Sequence, residues 1–210
     1  MINVLIISSY RLICASLSQI IDNVSEFNVV GIAEDLADVP QLVTEHEVDV
    51  ALFEVCSPGI ESFDLIKNLI SIKRDLKILI LSTHAAEPLP SQFLQAGAKG
   101  FITRQASVTE VIKAVKEVAE GRRYLGVDCA QQMALGNMSG DSNPFSSLSA
   151  REMQVMMMIT SGCKVMSISD QLCLSPKTIN TYRYRLFSKL GVDSDVSLTR
   201  LAIRRGLMEA

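Results

Sequence analysis

The chain has 210 residues, of which 48% are hydrophobic and 20% charged, and its formal net charge is −3. Its five cysteines are odd in number and lack both C-x-x-C and Cys/His ligand spacing, which argues against a disulfide framework or a zinc site and fits a reducing cytoplasm. No apolar run approaches the length of a membrane span, and no basic segment precedes the first apolar residues, so we expect a cytoplasmic protein without membrane contact or signal peptide.

The charge divides the chain into an acidic part and a basic part. Residues 1–125 contain 11 Lys/Arg and 16 Asp/Glu, a net charge of −5, whereas residues 145–210 contain 9 and 5, a net charge of +4. The length accommodates one large domain or two small ones, and this asymmetry favours two. A basic C-terminal domain also suits a nucleic-acid partner.

Short apolar runs alternate with amphipathic segments through the first 120 residues. The runs are near-continuous Val/Ile/Leu stretches, as expected for strands covered on both faces. They lie at Asn3–Ile7, Phe27–Ala33, Val48–Glu54, Lys77–Ser82 and Gly100–Thr103. Helices are predicted between and after them, at Arg11–Val24, Asp35–His46, Ile60–Lys73, Pro90–Gly97 and Ser107–Gly121. Five β-α units in succession predict an α/β doubly wound five-stranded parallel sheet with helices on both faces.

A sheet of this kind places its functional site at the carboxyl ends of its strands. Polar residues occupy those ends here, and they are the candidates for chemistry in this domain. They are Ser8, Ser9, Glu54, Ser82 and the stretch from Thr103 to Gln105.

A linker and a helical domain follow. The segment Tyr124–Leu135 predicts a short helix that belongs to neither core, and Asn137–Ser147 is a Ser-, Asn-, Gly- and Pro-containing linker without apolar periodicity. A capping box of Ser149 and Glu152 opens the next helix. Helices are predicted at Ala150–Ser161, Val165–Cys173, Ser175–Gly191 and Asp195–Gly206. The domains are therefore expected at residues 1–122 and 148–210, with a connecting helix and linker at 123–147.

The helix Ser175–Gly191 has the features of a DNA-recognition helix. Ser175 is its predicted N-cap, Pro176 its first residue and Gly191 its stop. At 100° per residue, an apolar stripe lies within about 80° of Ile179. The opposite face is polar, and no acidic residue that would repel a phosphate backbone occurs in the helix. Its polar residues are Lys177, Asn180, Thr181, Tyr184, Arg185 and Ser188.

The first domain resembles the receiver domain of bacterial two-component response regulators, a CheY-like fold. In that family an acidic pair follows the first strand and helps to hold Mg²⁺, an Asp at the end of the third strand accepts the phosphoryl group, a Ser or Thr ends the fourth, and a Lys follows the fifth. By position, Ser8 and Ser9 replace the acidic pair, Glu54 replaces the acceptor, and Arg104 replaces the Lys. Ser82 retains the hydroxyl, and Phe101 matches the family's aromatic switch position.

These replacements predict that the receiver is not phosphorylated in the usual way. Mg²⁺ needs carboxylate charge to be retained, and Glu54 alone supplies it at these positions. We therefore expect no metal or other cofactor and no enzymatic activity, and the replacements argue against interaction with a sensor kinase. Glu54 has two interpretations, a fixed mimic of the phosphorylated state directed at Ser82 or Arg104, or an inert carboxylate paired with Arg104. The second is favoured because paired half-buried charges are common.

The C-terminal part resembles the LuxR/NarL-type helix-turn-helix domain through LSAREMQVMMMITSG and SPKTINTYRYRLFSKLGV. With MINVL, HAAEPLP, AQQMAL and PFSSLSARE, the resemblance extends to the GacA/UvrY/LetA group of response regulators. It implies a dimer on inverted DNA half-sites, with the last helix at the dimer interface. It also assigns DNA contacts by position. Base-reading residues are Asn180, Thr181 and Tyr184, and phosphate-binding residues are Lys177, Thr178, Arg185, Lys189 and, nearby, Lys164.

Arg183 departs from the wider family, which tends to be aliphatic at this position. It projects about 40° from the buried direction, so we expect its stem to pack and its guanidinium to reach sideways.

The sequence leaves more than one function open. The favoured one is a sequence-specific transcription regulator that binds double-stranded DNA as a homodimer and works without phosphorylation. The alternative is an interaction protein that forms a heterodimer with a competent paralogous regulator and modulates it. Activation through residual phosphate chemistry is the least favoured. The acid-free recognition face separates the first two, because a pure interaction module has no need of it.

Overall fold

The computed structural model describes residues 1–55, 60–83, 89–138, 144–204 and 207. Within these ranges the first domain alternates strands and helices in the predicted order. Its strands are β1 (Ile2–Ile7), β2 (Phe27–Ala33), β3 (Val50–Val55), β4 (Lys77–Ser82), β5 (Gly100–Thr103) and β6 (Tyr124–Leu125). Its helices are α1 (Arg11–Asp22), α2 (Val39–Glu45), α3 (Ile60–Ile72), α4 (Leu89–Ala96) and α5 (Val108–Ala119). None of the helices in the described ranges is long and apolar enough to cross a bilayer.

The strands form one parallel sheet in the order β2-β1-β3-β4-β5-β6. Both of its faces are covered. Val4, Leu52 and Leu79 belong to one apolar cluster, and Leu5, Phe53 and Ile80 to the other. This arrangement confirms the doubly wound class and explains why the strands carry continuous rather than alternating apolar residues.

The sheet has six strands, which corrects the predicted five. Tyr124 and Leu125 pair with Gly100 and Phe101 along the otherwise open edge of β5. The backbone N–H of Tyr124 donates to the carbonyl of Lys99 at 3.0 Å, and that of Gly126 donates to Phe101 at 2.8 Å. The segment expected to be helical from Tyr124 therefore begins as a strand, because an unpaired sheet edge offers it backbone hydrogen bonds.

The connecting helix α6 (Val127–Met138) follows β6 directly. It covers the first two residues of the predicted linker, residues 139–143 of that linker lie outside the described ranges, and Pro144–Ser147 form a 3₁₀ turn. Helix α2 also begins later than predicted, at Val39, because the side chain of Asp35 accepts the N–H of Ala37 and forms a turn ahead of it.

The second domain consists of α7 (Ala150–Thr160), α8 (Val165–Gln171), α9 (Pro176–Leu190) and α10 (Asp195–Arg204). The predicted capping box is present, since Ser149 and Glu152 each accept the other's backbone N–H. The inward residues of α7 include Val155, Met156 and Ile159, while Met158 is partly buried.

The apolar cores of the two domains are continuous. Helix α7 packs against α3, and Phe145 and Leu148 at the end of the linker are buried in the same cluster as Phe93 of α4. The Nε2 group of Gln92 on α4 also donates to the carbonyl of Leu148, at 3.5 Å. The receiver therefore contacts the helical domain through α7 and the residues just before it.

The turn between α8 and α9 contains one strained residue. Cys173 has φ of 50°, in the left-handed region, although it carries a Cβ.

Replacing Cys173 with Gly should raise the free energy of unfolding by roughly 0.5–1 kcal/mol. The substitution removes a backbone strain of about 1–2 kcal/mol, and the greater freedom of Gly in the unfolded chain offsets part of this gain. Urea unfolding measures this. Gly191→Ala is the matched reverse change, because Gly191 has φ of 64° and open space around an added Cβ, and it should lower the free energy of unfolding. A loss of stability in Cys173→Gly would contradict the assignment of strain.

Candidate functional site

The carboxyl ends of β1, β3, β4 and β5 meet at one edge of the sheet and form a polar pocket. Ser8, Glu54, Ser82 and Thr103 are each at most 5% exposed there. Ser8 directly follows β1, Glu54 is the penultimate residue of β3, and Ser82 and Thr103 are paired with each other at the ends of β4 and β5. Predicted site residues from four separate stretches of sequence are thus brought together, whereas Ser9 is exposed to solvent.

The buried carboxylate of Glu54 is the centre of this pocket. Its Oε1 pairs with the guanidinium Nη2 of Arg104, and its Oε2 accepts the hydroxyl of Ser8. The Glu54 side chain is fully buried, while that of Arg104 is 34% exposed. A buried charge is strongly destabilising unless it is paired and hydrogen-bonded, and Arg104 and Ser8 supply this pairing and this hydrogen bond to Glu54.

Further contacts hold Arg104 and Ser8 in place. The backbone N–H of Arg104 donates to the carbonyl of Ser82 at 2.9 Å, and the guanidinium carbon lies 5.6 Å from the ring centroid of Tyr10. The N–H of Tyr10 donates to Ser8 Oγ at 3.0 Å. Tyr10 was not predicted as a site residue, because only its position above Arg104 in the folded chain gives it this role.

The remaining predicted position, Phe101, is buried within the domain. Its ring centroid lies 5.9 Å from that of Phe93, which in turn stacks on Phe63 at 4.5 Å. Phe101 therefore belongs to a row of three aromatic rings between β5 and the helices α3 and α4, in the arrangement that such rings prefer.

No three His, Cys, Asp or Glu residues come together as a metal-binding group within the ranges that the structure describes. Cys14 of α1 and Cys129 of α6 are buried, and both are poor nucleophiles. Burial raises the pKa of Cys14, and burial with the nearby charge of Asp128 raises the pKa of Cys129 to about 12. Both thiols are therefore protonated at neutral pH.

A second unpredicted contact connects the pocket with α6. The hydroxyl of Thr103 donates to Asp128 Oδ2 at 2.5 Å, and Glu110 of α5 accepts the N–H of Val127 at 2.9 Å. Gly126 permits this close approach, because a Cβ there would lie 3.0 Å from Asp128 Oδ1 and 3.4 Å from the backbone of Ile102. The connecting helix is thus attached to the residue that immediately precedes Arg104.

Helix α9 has the predicted ends and the predicted buried stripe. Ser175 accepts the N–H of Thr178 at 3.1 Å, and Gly191 ends the helix in the left-handed conformation. Ile179, Leu186 and Leu190 are buried, with Tyr182 and Phe187 partly buried against the same core. Sequence periodicity alone therefore placed this helix correctly in the domain.

The polar face of α9 is open to solvent. Tyr184 is 67% exposed, and Lys177, Thr181 and Arg185 are also exposed. Asn180 and Thr178 are intermediate. The hydroxyl of Thr181 donates to the carbonyl of Lys177 at 2.9 Å, which leaves its oxygen available as an acceptor. Lys164, the N-cap residue of α8, is exposed close to this helix pair.

Lys189, predicted as a phosphate contact, has another partner in the structure. Its Nζ group lies 2.7 Å from Glu152 Oε2 and 3.0 Å from the carbonyl of Ser147, and the Glu152 side chain is 6% exposed. Burial alone would raise the pKa of Glu152, but hydrogen bonds from Lys189 and Ser149 outweigh burial and hold this pKa below its usual range. The ammonium group compensates a buried carboxylate, so we do not include it among the proposed DNA contacts.

Arg183 reaches sideways, as its departure from the buried direction suggested. Its Nε and Nη2 groups each lie 2.6 Å from a carboxylate oxygen of Asp195, the first residue of α10. Its guanidinium carbon is 5.4 Å from the ring centroid of Phe187. The guanidinium therefore joins α9 to α10 through two parallel hydrogen bonds.

Comparison with known proteins identifies both parts of the chain. Residues 4–116 match the model of the response regulator receiver domain, and residues 146–202 match that of bacterial regulatory proteins of the luxR family. The whole chain is 43% identical over 212 residues to the response regulator UvrY of Escherichia coli strain K12, of which 97% is covered. It is 39% identical to the response regulator GacA of Pseudomonas aeruginosa, of which 99% is covered.

A solved structure has the same architecture. RcsB from Salmonella enterica serovar Typhimurium, bound to promoter rprA in the presence of the phosphomimetic BeF3−, aligns with a TM-score of 0.77 at 20% identity. The alignment covers 95% of this chain and 97% of that one. At this level of identity, the likeness establishes a CheY-like receiver fold followed by a helical domain.

Replacing Lys189 with Met should lower the free energy of unfolding by on the order of 1–2 kcal/mol at pH 7, because it leaves the buried carboxylate of Glu152 without its cation. Glu152 has a lowered pKa in the folded state, so its contribution to stability is present above the unfolded pKa near 4.5 and is lost as pH falls through the lower folded pKa. Urea unfolding of the variant should accordingly show a smaller loss of stability in this acid range than the wild type shows.

Lys164→Met is the matched control for this change, since it removes an exposed lysine of the same domain and should alter stability by no more than about 0.5 kcal/mol. Equal effects of the two substitutions would mean that Lys189 does not stabilise the domain through Glu152.

Proposed function

The chain belongs to the response regulators of the bacterial luxR family, and on that premise we propose that it binds specific DNA sequences as a transcription regulator whose receiver is not phosphorylated. The observation that carries the DNA-binding part is the solvent-exposed, acid-free polar face of α9, which follows a tight turn from α8. A helix pair of this form presents its second helix to the major groove.

Two sets of residues on α9 would contact DNA. Asn180, Thr181 and Tyr184 offer amide, hydroxyl and phenol groups, which can hydrogen-bond to base edges. Lys177, Thr178 and Arg185 would bind phosphate oxygens, and Lys164 would add a contact from α8. The exposure of Tyr184 supports this role, because its phenol group is accessible to a base edge.

The contacts of Glu54 support the proposal that phosphorylation is not used. Both carboxylate oxygens already have partners, the guanidinium of Arg104 and the hydroxyl of Ser8. A metal ion would have to displace the guanidinium of Arg104. It would then meet a single carboxylate in place of several, and a single carboxylate retains Mg²⁺ poorly. Without a metal, charge that develops on a transferring phosphoryl group lacks its main stabiliser.

Of the two roles considered for Glu54, the paired inert carboxylate is better supported. The ion pair neutralises the negative charge locally, whereas a phosphoryl group brings added charge into the pocket. We propose that the receiver remains in one arrangement. A conformational equilibrium shifts only when a ligand binds one of the two states more tightly, and we propose no such ligand for this pocket.

We also propose that the protein acts as a dimer on DNA. The related fold of RcsB has been observed as two dimers bound to two parallel DNAs. A homodimer suits paired half-sites, and a heterodimer with a paralogous regulator would place one recognition helix from each partner on the DNA. Size measurement of the protein bound to its DNA, alone and mixed with a paralogue, separates these assemblies.

Incubation of the full chain with Mg²⁺ and a small-molecule phosphodonor should produce no acyl-phosphate, because the pocket can neither hold the metal nor present an unpaired acceptor carboxylate. Intact-mass spectrometry measures the phosphoryl addition. The positive control combines Ser8→Asp, Ser9→Asp, Glu54→Asp and Arg104→Lys, which restores the family's polar groups. A labile addition that maps to Glu54 or to a pocket serine in the wild type would refute this part of the proposal.

Substitutions on α9 should separate base reading from phosphate binding. Asn180→Ala or Tyr184→Ala should weaken binding at a cognate site by about 1–3 kcal/mol, whereas Lys177→Ala should weaken binding to all sequences alike and reduce the salt dependence. The cognate site is obtained by selection from random DNA with the wild-type protein, and affinities are measured by fluorescence anisotropy at several salt concentrations. Equal losses on cognate and random DNA from Asn180→Ala would remove Asn180 from the base-reading set.

A further inference from the structure

We propose that the Arg183–Asp195 ion pair fixes the rotation of α9 about its own axis and thereby aims the base-reading residues, so that Arg183 is a positioning residue for sequence recognition and not a DNA contact. The proposal rests on the DNA-binding function argued above. It concerns a side chain that lies between Thr181 and Tyr184 in sequence yet points to neither the core nor the exposed face.

The geometry of the pair is specific. Nε of Arg183 lies 2.6 Å from Asp195 Oδ1, and Nη2 lies 2.6 Å from Asp195 Oδ2, so both oxygens face one edge of the guanidinium. Two parallel bonds between planar groups define an orientation, whereas a single ammonium contact defines only a distance. The guanidinium also lies over the ring of Phe187, one turn further along the same helix, which restricts its remaining freedom.

The other anchors of α9 leave its rotation less well defined. Ile179, Leu186 and Leu190 hold the helix against the core, but apolar packing is non-directional and tolerates small rotations about the helix axis. The N-cap at Ser175 and the glycine at 191 fix where the helix begins and ends, and Lys189 holds only its last turn, through a single ammonium contact with Glu152 of α7. The bidentate bond from Arg183 to α10 is directional, and it therefore opposes the rotation that apolar packing permits.

Asp195 is attached to a rigid part of the domain. It is the first residue of α10, where a carboxylate is favoured by the helix dipole, and its carbonyl accepts the hydroxyl of Thr199 at 2.9 Å. Leu198 and Ala202 of the same helix are buried in the domain core. The ion pair therefore fixes the rotation of α9 relative to α10, a helix that the core holds in place.

The neutral character of the pair distinguishes positioning from phosphate binding. The Nε and Nη2 groups of Arg183 are directed at Asp195, and the charges of the two side chains cancel. Loss of Asp195 would add one positive charge to the DNA-binding domain, and electrostatics alone would then strengthen DNA binding. A positioning role requires the opposite sign, because an incorrectly rotated α9 no longer places Asn180 and Tyr184 against the base edges.

The experiment measures the affinity of the full chain for the DNA selected by the wild type and for random DNA, each at several salt concentrations. Asp195→Ala and Arg183→Met should each weaken cognate binding roughly tenfold, which is the size of losing one base contact. The double variant should lose no more than either single variant. Affinity for random DNA should not fall in Asp195→Ala, and the salt slope at the cognate site should not decrease in either variant.

Two further variants make the interpretation specific. Asp170→Ala removes an exposed acid from α8, leaves α9 untouched, and should leave cognate binding unchanged or slightly tighter. Arg183→Lys keeps the charge and the aliphatic stem but breaks the two-bond geometry, so it should lose specificity like Arg183→Met. Binding is compared only for variants whose circular dichroism matches that of the wild type. If Arg183→Met does not fold, Arg183→Lys therefore tests the same contact.

Cognate binding by Asp195→Ala that equals or exceeds the wild type would overturn the proposal, as would a reduced salt slope with equal losses on both DNAs in Arg183→Met. A wild type that enriches no sequence from random DNA would instead refute the proposed function itself, so the two failures are distinguishable.

Discussion

Burial of one carboxylate at the meeting point of four parallel strands constrains the whole receiver domain. Glu54 is fully buried, and an ionised carboxyl group in that position must be neutralised and hydrogen-bonded. Its partners come from the ends of other strands, Ser8 after β1 and Arg104 after β5, and the backbone of Arg104 bonds to Ser82 at the end of β4. The ion pair and these hydrogen bonds thereby connect the carboxyl ends of β1, β3, β4 and β5. A receiver that switches needs a charged group that can be added to this site and removed from it. The guanidinium of Arg104 is part of the chain and stays there, so we expect the receiver to keep a single arrangement.

The same edge of the sheet holds the connecting helix. Thr103 precedes Arg104 and bonds to Asp128 at the start of α6, and Gly126 allows the two segments to approach. At the other end of the linker, Leu148 accepts a bond from Gln92, and α7 packs against α3. Contacts on both sides of the linker therefore tie the helical domain to the receiver while the polar face of α9 remains exposed. An arrangement fixed by such contacts is consistent with DNA binding that needs no prior release of the recognition helix.

The sequence predicted those features that depend on local pattern. Continuous apolar runs located β1 to β5, and capping residues located α7 and α9, because burial on both faces and unsatisfied helix ends leave direct marks in a sequence. Strand β6 was missed because two residues are too few to show a period, and it forms only where β5 leaves an open edge. The pairing of Glu54 with Arg104 could be anticipated from strand ends, but Asp128 and Tyr10 could not, since each reaches the site through folding of another element. Lys189 was assigned to a DNA phosphate by its position in the family resemblance, which carries no information about the buried Glu152 that faces it from α7.

These pairings also change how the charge of the DNA-binding domain is understood. The sequence gives residues 145–210 a net charge of +4, and α9 carries the cations Lys177, Arg183, Arg185 and Lys189. Two of the four are matched within the domain, Arg183 by Asp195 and Lys189 by Glu152. Because a paired cation releases few counterions when DNA binds, the non-specific attraction that we propose for α9 would depend mainly on Lys177 and Arg185. The other two cations connect α9 to α10 and to α7 through these ion pairs. In the proposed function, sequence specificity and electrostatic attraction would therefore be carried by separate residues of one helix, although all four cations look alike in the sequence.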